Sequence, residues 1–121
     1  MRTFALRGAT SVERDEPAEI TGATAELMRE IEARNGLTPE MLISCLFTVT
    51  PDLRSEFPAV AARQIGFEKV PLLCAQEIPV PGSMPRVIRV LIHYNAEDAH
   101  EPEHVYLGAT KALRVDLHAA Q

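Results

Sequence analysis

Arg86-Val-Ile-Arg-Val-Leu-Ile-His-Tyr94 decides the reading of this chain, because it has the composition of a buried β-strand with a guanidinium at its middle. Aliphatic and β-branched residues at nearly every position suit a pleated strand packed on both sides. Strand side chains alternate, so Arg89 shares a face with Val87 and Leu91 while Ile88, Val90 and Ile92 point the other way. A guanidinium among such neighbours costs several kcal/mol unless a partner satisfies it. Arg89 is therefore either paired inside the protein or held for an anionic ligand. Near the other end of the chain, Arg2-Thr-Phe-Ala-Leu-Arg-Gly8 repeats the pattern. Arg7 closes a short alternating run, and Gly8 lets the backbone turn tightly or a ligand approach.

Outward from these strands, punctuation residues mark the remaining elements. Asp15 and Glu16 precede Pro17, a favoured first helical residue, and acidic groups there suit the positive end of a helix. Ile20, Leu27 and Ile31, with Ala23 and Thr24 in the same stripe, recur at helical spacing up to the stop Asn35-Gly36, which predicts a long helix over about 17–34. Thr38-Pro39-Glu40 reads as a short turn feeding a central strand, Leu42 to Thr50, which Pro51-Asp52 breaks. Phe57-Pro58 begins a short helix, Ala59 to Ile65, ended by Gly66. Lys69 to Glu77 reads as a strand, and the proline-rich loop Pro79 to Pro85 leads stiffly into the Arg89 strand. Asn95 to Glu103 is a polar connection, and a last strand around His104-Val-Tyr-Leu107 continues toward Leu113. The expected fold is α/β (α+β): one domain over residues 1–121 with a mixed sheet of about five strands, one long helix and one short one.

The 121 residues are 46% hydrophobic, enough for one core and too few for two ordinary domains. A net charge of −5 argues against a nucleic-acid or anionic-membrane partner, which would need clustered cations facing phosphates. Ten of the twelve basic residues are Arg, a bias that suits bidentate recognition of carboxylates and that a GC-rich genome also produces. Cys45 and Cys74 are too few for a disulfide framework, and no leader pattern opens the chain. The longest apolar run, Met41 to Val49, is far short of the roughly 20 residues that a membrane span needs. A cytoplasmic protein is expected.

His100-Glu-Pro-Glu-His104 sets two imidazoles four residues apart, but Pro102 opposes the helix that metal binding at this spacing would require. With no third ligand set beside them, they read as surface histidines of an acidic loop, and no metal is expected. Cys74 has neither a neighbouring base nor a nucleophile signature, and Cys45 sits in an apolar strand as core. Glu77 ends an apolar strand with Cys74 on the opposite face. It is an exposed strand end, an acceptor for a ligand hydroxyl, or the internal partner of Arg89 or Arg7. Tyr106 either packs with its hydroxyl toward water or donates to a carboxylate. Arg63 and Arg114 taken singly are solvated charges; beside two strand arginines they become candidates for the same anion.

Five separated segments then carry a resemblance. Arg7-Gly-Ala-Thr-Ser-Val-Glu-Arg-Asp15, Thr50-Pro-Asp-Leu53 with Phe57-Pro-Ala59, Cys74-Ala-Gln-Glu77, Arg89, and His104-Val-Tyr-Leu107 with Arg114-Val-Asp-Leu117 resemble the AroH-class monofunctional chorismate mutases, in order and across nearly the whole chain. The resemblance implies a homotrimer of pseudo-α/β-barrel form with an active site in each cleft between subunits. It implies conversion of chorismate to prephenate, toward phenylalanine and tyrosine, with no cofactor. It also implies roles. Arg89 would donate to the ether oxygen and a carboxylate, Arg7 and Tyr106 would bind carboxylate oxygens, and Glu77 with Cys74 would meet the ring hydroxyl. Phe57, Ala59, Arg63, Leu73 and Leu113 would line the cleft, with Arg63 and Arg114 at its mouth. Val60 and Leu73 depart from the family pattern, which more often carries a basic and a small hydroxyl residue there. An imine hydrolase of the trimeric YjgF/RidA type and a non-catalytic module binding anionic metabolites are the alternative readings of the same arginines.

Overall fold

The computed structural model describes residues 1–113. Seven principal elements follow one another: β1 (Arg2–Ser11), α1 (Pro17–Asn35), β2 (Leu42–Val49), α2 (Pro58–Ala62), β3 (Leu72–Gln76), β4 (Val87–Ala96) and β5 (Val105–Tyr106). The strands form one mixed sheet in the order β3-β2-β4-β1-β5. The Arg89 strand, β4, is at its centre and runs antiparallel to both neighbours, while β1 with β5 and β2 with β3 pair in parallel. β2, expected to be central, lies one place off centre between β3 and β4.

The helical stripe read from the sequence is the buried one. Ile20, Thr24, Leu27, Met28 and Ile31 face inward from α1, and Gly36 closes the helix in the left-handed region at φ 63°. α1 and α2 both pack on one face of the sheet, where Leu27, Met28, Ile31, Ala59 and Ala62 meet Leu6, Cys45, Phe47, Val90, Ile92 and Tyr94. Each large aliphatic side chain fully buried there contributes about 1.5–3 kcal/mol. Burial pushes the Cys45 thiol up to about 12, so it carries no thiolate at neutral pH. Among the described residues no helix lies on the opposite face of the sheet, which carries Arg7, Arg89 and Tyr106.

Four expectations are corrected. Gly8 does not turn the chain: β1 continues through it to Ser11, and a Cβ at Gly8 would lie 2.7 Å from Ile31 Cδ1 and 3.2 Å from Leu27 Cδ1 and Val90 Cγ1. The glycine lets α1 sit down on the strand. The strand expected from Lys69 begins only at Leu72, because the Val70 N–H is taken by the Phe67 carbonyl in a turn and Pro71 has no N–H. The last strand stops at Tyr106 instead of continuing toward Leu113. Gly108 turns the chain at φ 58°, Ser11 Oγ accepts the Ala109 N–H, and residues Gly108–Ala112 wind into a 3-10 turn. Finally, the short helix is five residues long and gives way at Ala62 to a looser turn, Arg63–Phe67, in which Gly66 at φ 111° makes the expected stop.

The entry to β4 is fastened by side chains rather than by a regular turn. Arg86 sits at φ 53°, rare for a residue with a Cβ, and its N–H donates to both oxygens of Asp52 at 3.1 and 3.0 Å. The Thr50 hydroxyl donates to Asp52 Oδ1 at 2.6 Å and accepts the Val87 N–H at 3.0 Å. This clasp sets where β4 begins, and with it the register of Arg89.

Candidate active site

Register assembles the site. Thr48 of β2 lies opposite Arg89 of β4, Arg89 opposite Ala9 of β1, and Ala9 opposite Tyr106 of β5. These four residues form one row across the face opposite α1 and α2. Strands are spaced about 4.8 Å apart, so Arg89 and Tyr106 stand roughly 10 Å from each other with the small Ala9 as the floor between them. Arg7 is opposite Leu91, one step along on the same face, which makes it a diagonal neighbour of Arg89. The result is a cavity of about 250 Å³ lined by Arg7, Ala9, Leu46, Thr48, Arg89, Leu91 and Tyr106.

Two cations this close repel unless anions balance them. Glu77 supplies one negative charge. Its backbone N–H donates to the Val49 carbonyl at 2.9 Å just beyond the end of β3, and its Oε2 lies 3.1 Å from Arg89 Nε. Among the readings left open for Glu77, the structure therefore makes it a partner of Arg89. Oε2 also accepts a 2.6 Å hydrogen bond from the Thr48 hydroxyl. The Arg89 Nε approach is off-line, so this buried donor makes no hydrogen bond among the described residues. Arg89 is nonetheless 42% exposed at its side chain, against 19% for Glu77, so its outer end faces the cavity. A net positive, partly desolvated pocket suits an anionic ligand such as a carboxylate.

His104 and His100 are not the surface histidines expected. Arg7 donates its backbone N–H to His104 Nδ1 at 3.0 Å, and His100 Nε2 lies 2.6 Å from the hydroxyl of the buried Tyr94. Accepting from an N–H requires the lone pair of Nδ1, so His104 must be neutral in this arrangement. Burial, together with the Arg7 charge, holds its pKa below the ordinary histidine value. As pH falls through about 6.5 the unfolded chain takes up the proton first, so folding stability is expected to decline from there down to the folded-state value. Denaturant unfolding at about pH 7.5 and about pH 5.5 measures that slope, and His104→Asn should flatten it.

Comparison with known proteins supplies the deciding observation. The sequence model of the family described as chorismate mutase type I matches residues 3–117. The chain belongs to the type I chorismate mutase family. It is 52% identical over 118 residues to the chorismate mutase AroH of Thermus thermophilus, covering 96% of this chain and 97% of that protein. It is 40% identical over 114 residues to the chorismate mutase AroH of Bacillus subtilis (strain 168), covering 93% and 90%. A solved chorismate mutase structure from Clostridium thermocellum superposes with a TM-score of 0.88 at 44% identity, covering 91% of this chain and 99% of that one. Family and fold thus agree with the resemblance read from the five segments.

Measured against this chorismate mutase family, the site residues fall into two groups. Arg7, Glu77, Arg89 and Tyr106 come together as described. Phe57 and Cys74 line a separate cavity of about 290 Å³ with Leu53, Arg54 and Gln76. Phe57 is 65% exposed, a large aromatic surface left in the open. Cys74 pairs in register with the buried Phe47 and so leans toward the helix side, away from Arg89. Ala59 is core beneath α2, Arg63 is exposed at the end of that helix, and Leu73 is 64% exposed on the Arg89 face opposite Leu46. Leu113 follows the last 3-10 turn, and Arg114 lies outside the described residues. Two contributors escaped the sequence reading. Thr48 stands beside Arg89, and His104 holds the backbone of Arg7; the polar Thr48 in an otherwise apolar stretch of β2 was the only local signal.

Proposed function

We infer that the protein is a chorismate mutase, an isomerase that converts chorismate to prephenate by an intramolecular Claisen rearrangement. The carrying observation is the row Thr48-Arg89-Ala9-Tyr106 with Arg7 beside it, a compact, net positive pocket in a member of this family. In the reaction the ether C–O bond breaks as a C–C bond forms within the same molecule, and no proton changes hands. The enzyme must hold the two arms of the substrate together and stabilise negative charge growing on the ether oxygen. Arg89 donates to that oxygen and to a carboxylate, Arg7 and Tyr106 hold carboxylate oxygens, and Glu77 receives the ring hydroxyl. Restraint and charge suffice; the reading assigns no work to a metal or cofactor, and it places the enzyme in the cytoplasm.

The separation of Phe57 and Cys74 from Arg89 supports a site completed by a neighbouring subunit in a closed trimer. On that reading the exposed Phe57, Arg63 and Leu73 of one subunit face the arginine row of the next. Purified protein given chorismate should consume it and form prephenate at a rate unchanged by chelators; absence of turnover sinks the reading. Arg63→Ala should raise KM about tenfold with kcat little changed, because a cation at the mouth meets ground and transition states alike. Mixed with Arg89→Ala subunits and assayed well below KM, Arg63→Ala protein should regain activity as some clefts receive both intact halves. A fully active monomer in sedimentation removes the shared site.

A further inference from the structure

We propose that Thr48 is a positioning residue for the rearrangement, its hydroxyl holding Glu77 so that the outer donors of Arg89 remain available to substrate. The inference rests on the chorismate mutase reading above. A carboxylate beside an arginine tends toward a parallel, two-bond pair that engages two guanidinium N–H groups at once. Such a pair between Glu77 and Arg89 would consume the donors that the ether oxygen and carboxylate need. The structure shows a different arrangement. Thr48 Oγ1 donates to Glu77 Oε2 at 2.6 Å, the same oxygen that Arg89 Nε approaches at 3.1 Å without forming a hydrogen bond. The hydroxyl thus holds the oxygen of Glu77 that faces Arg89 Nε.

Thr48 is well placed to do this. Its backbone lies inside the sheet, with Arg89 of β4 opposite it on one side and Ala75 of β3 on the other. As a β-branched residue in a strand it also has few rotamers. Glu77, by contrast, lies beyond the last residue of β3 and has a long, rotatable side chain. The fixed residue therefore sets the conformation of the mobile one. Leu46, two residues earlier on the same face, has no polar group to offer, and the hydroxyl of Ser44 beyond it lies beside His93, so within β2 the role falls to position 48.

Thr48→Val removes the hydroxyl and keeps the shape. It should lower kcat for chorismate roughly tenfold while KM changes less than about threefold, since the substrate is still bound but the charged pair is misaligned. Thr48→Ser should recover most of the loss. In a Glu77→Ala background the same Thr48→Val change should have no further effect, because the group it holds is gone. A merely structural role would persist in that background, and this outcome would overturn the proposal. So would a Thr48→Val enzyme with wild-type kcat, or a loss confined to KM, which would make Thr48 a direct substrate contact. A wild-type protein that leaves chorismate unchanged would instead overturn the functional reading, and the proposal with it.

Discussion

Replacing Arg89 with lysine should lower kcat by about two orders of magnitude or more, equivalent to about 2.7 kcal/mol of transition-state stabilisation, while leaving KM much less affected. Lysine keeps the charge but loses the planar fork that lets one side chain reach two acceptors. At this position the fork matters because Nε is buried beside Glu77, 3.1 Å from Oε2, so contact with substrate falls to the outer nitrogens. A cation near the ether oxygen interacts more strongly with the transition state than with bound chorismate, since the negative charge there grows as the C–O bond breaks. Steady-state kinetics on Arg89→Lys separates the possibilities. If kcat were intact and only KM rose, Arg89 would be a carboxylate anchor with no part in the chemical step.

The second large effect concerns stability. Gly8→Val should destabilise the fold by about 3 kcal/mol, the upper end of overpacking costs, and lower the melting temperature by roughly 10 °C. A Cβ at this site meets side chains on three sides, Ile31 at 2.7 Å and Leu27 and Val90 at 3.2 Å, and all three are buried. Ile31 cannot swing aside without displacing its neighbours in a close-packed interior. The damage would extend to function, because Gly8 lies between Arg7 and Ala9 in the strand that floors the candidate site. A Gly8→Val protein melting within a few degrees of wild type would show that α1 can lift off β1 at little cost.

Some of this architecture was legible in local chemistry. The parity of β4 placed Arg89 opposite Ile88, Val90 and Ile92, and those three are buried on the helix side as alternation requires. The stripe of α1 and the stops at Gly36 and Gly66 likewise follow from residues a few positions apart. Element ends were read less well where a distant partner sets them. β5 ends at Tyr106 because Gly108, Ser11 and Thr110 turn the chain, and those contacts span about a hundred residues of sequence.

By itself the sequence determined the sheet-and-helix composition, the solitary guanidinium of the central strand and the family, because periodicity, turn chemistry and ordered motifs are properties of neighbouring residues. Only the tertiary structure decided that Gly8 serves helix packing, that His104 supports Arg7, that Glu77 pairs with Arg89 and that Thr48 holds it. Each of these depends on which strands lie side by side and in what register. A one-residue slip of β2 against β4 would turn Thr48 to the other face of the sheet. Register is fixed by the whole core at once, by α1 seated on β1 and by the Asp52 clasp at the start of β4, and no short segment of the chain contains it.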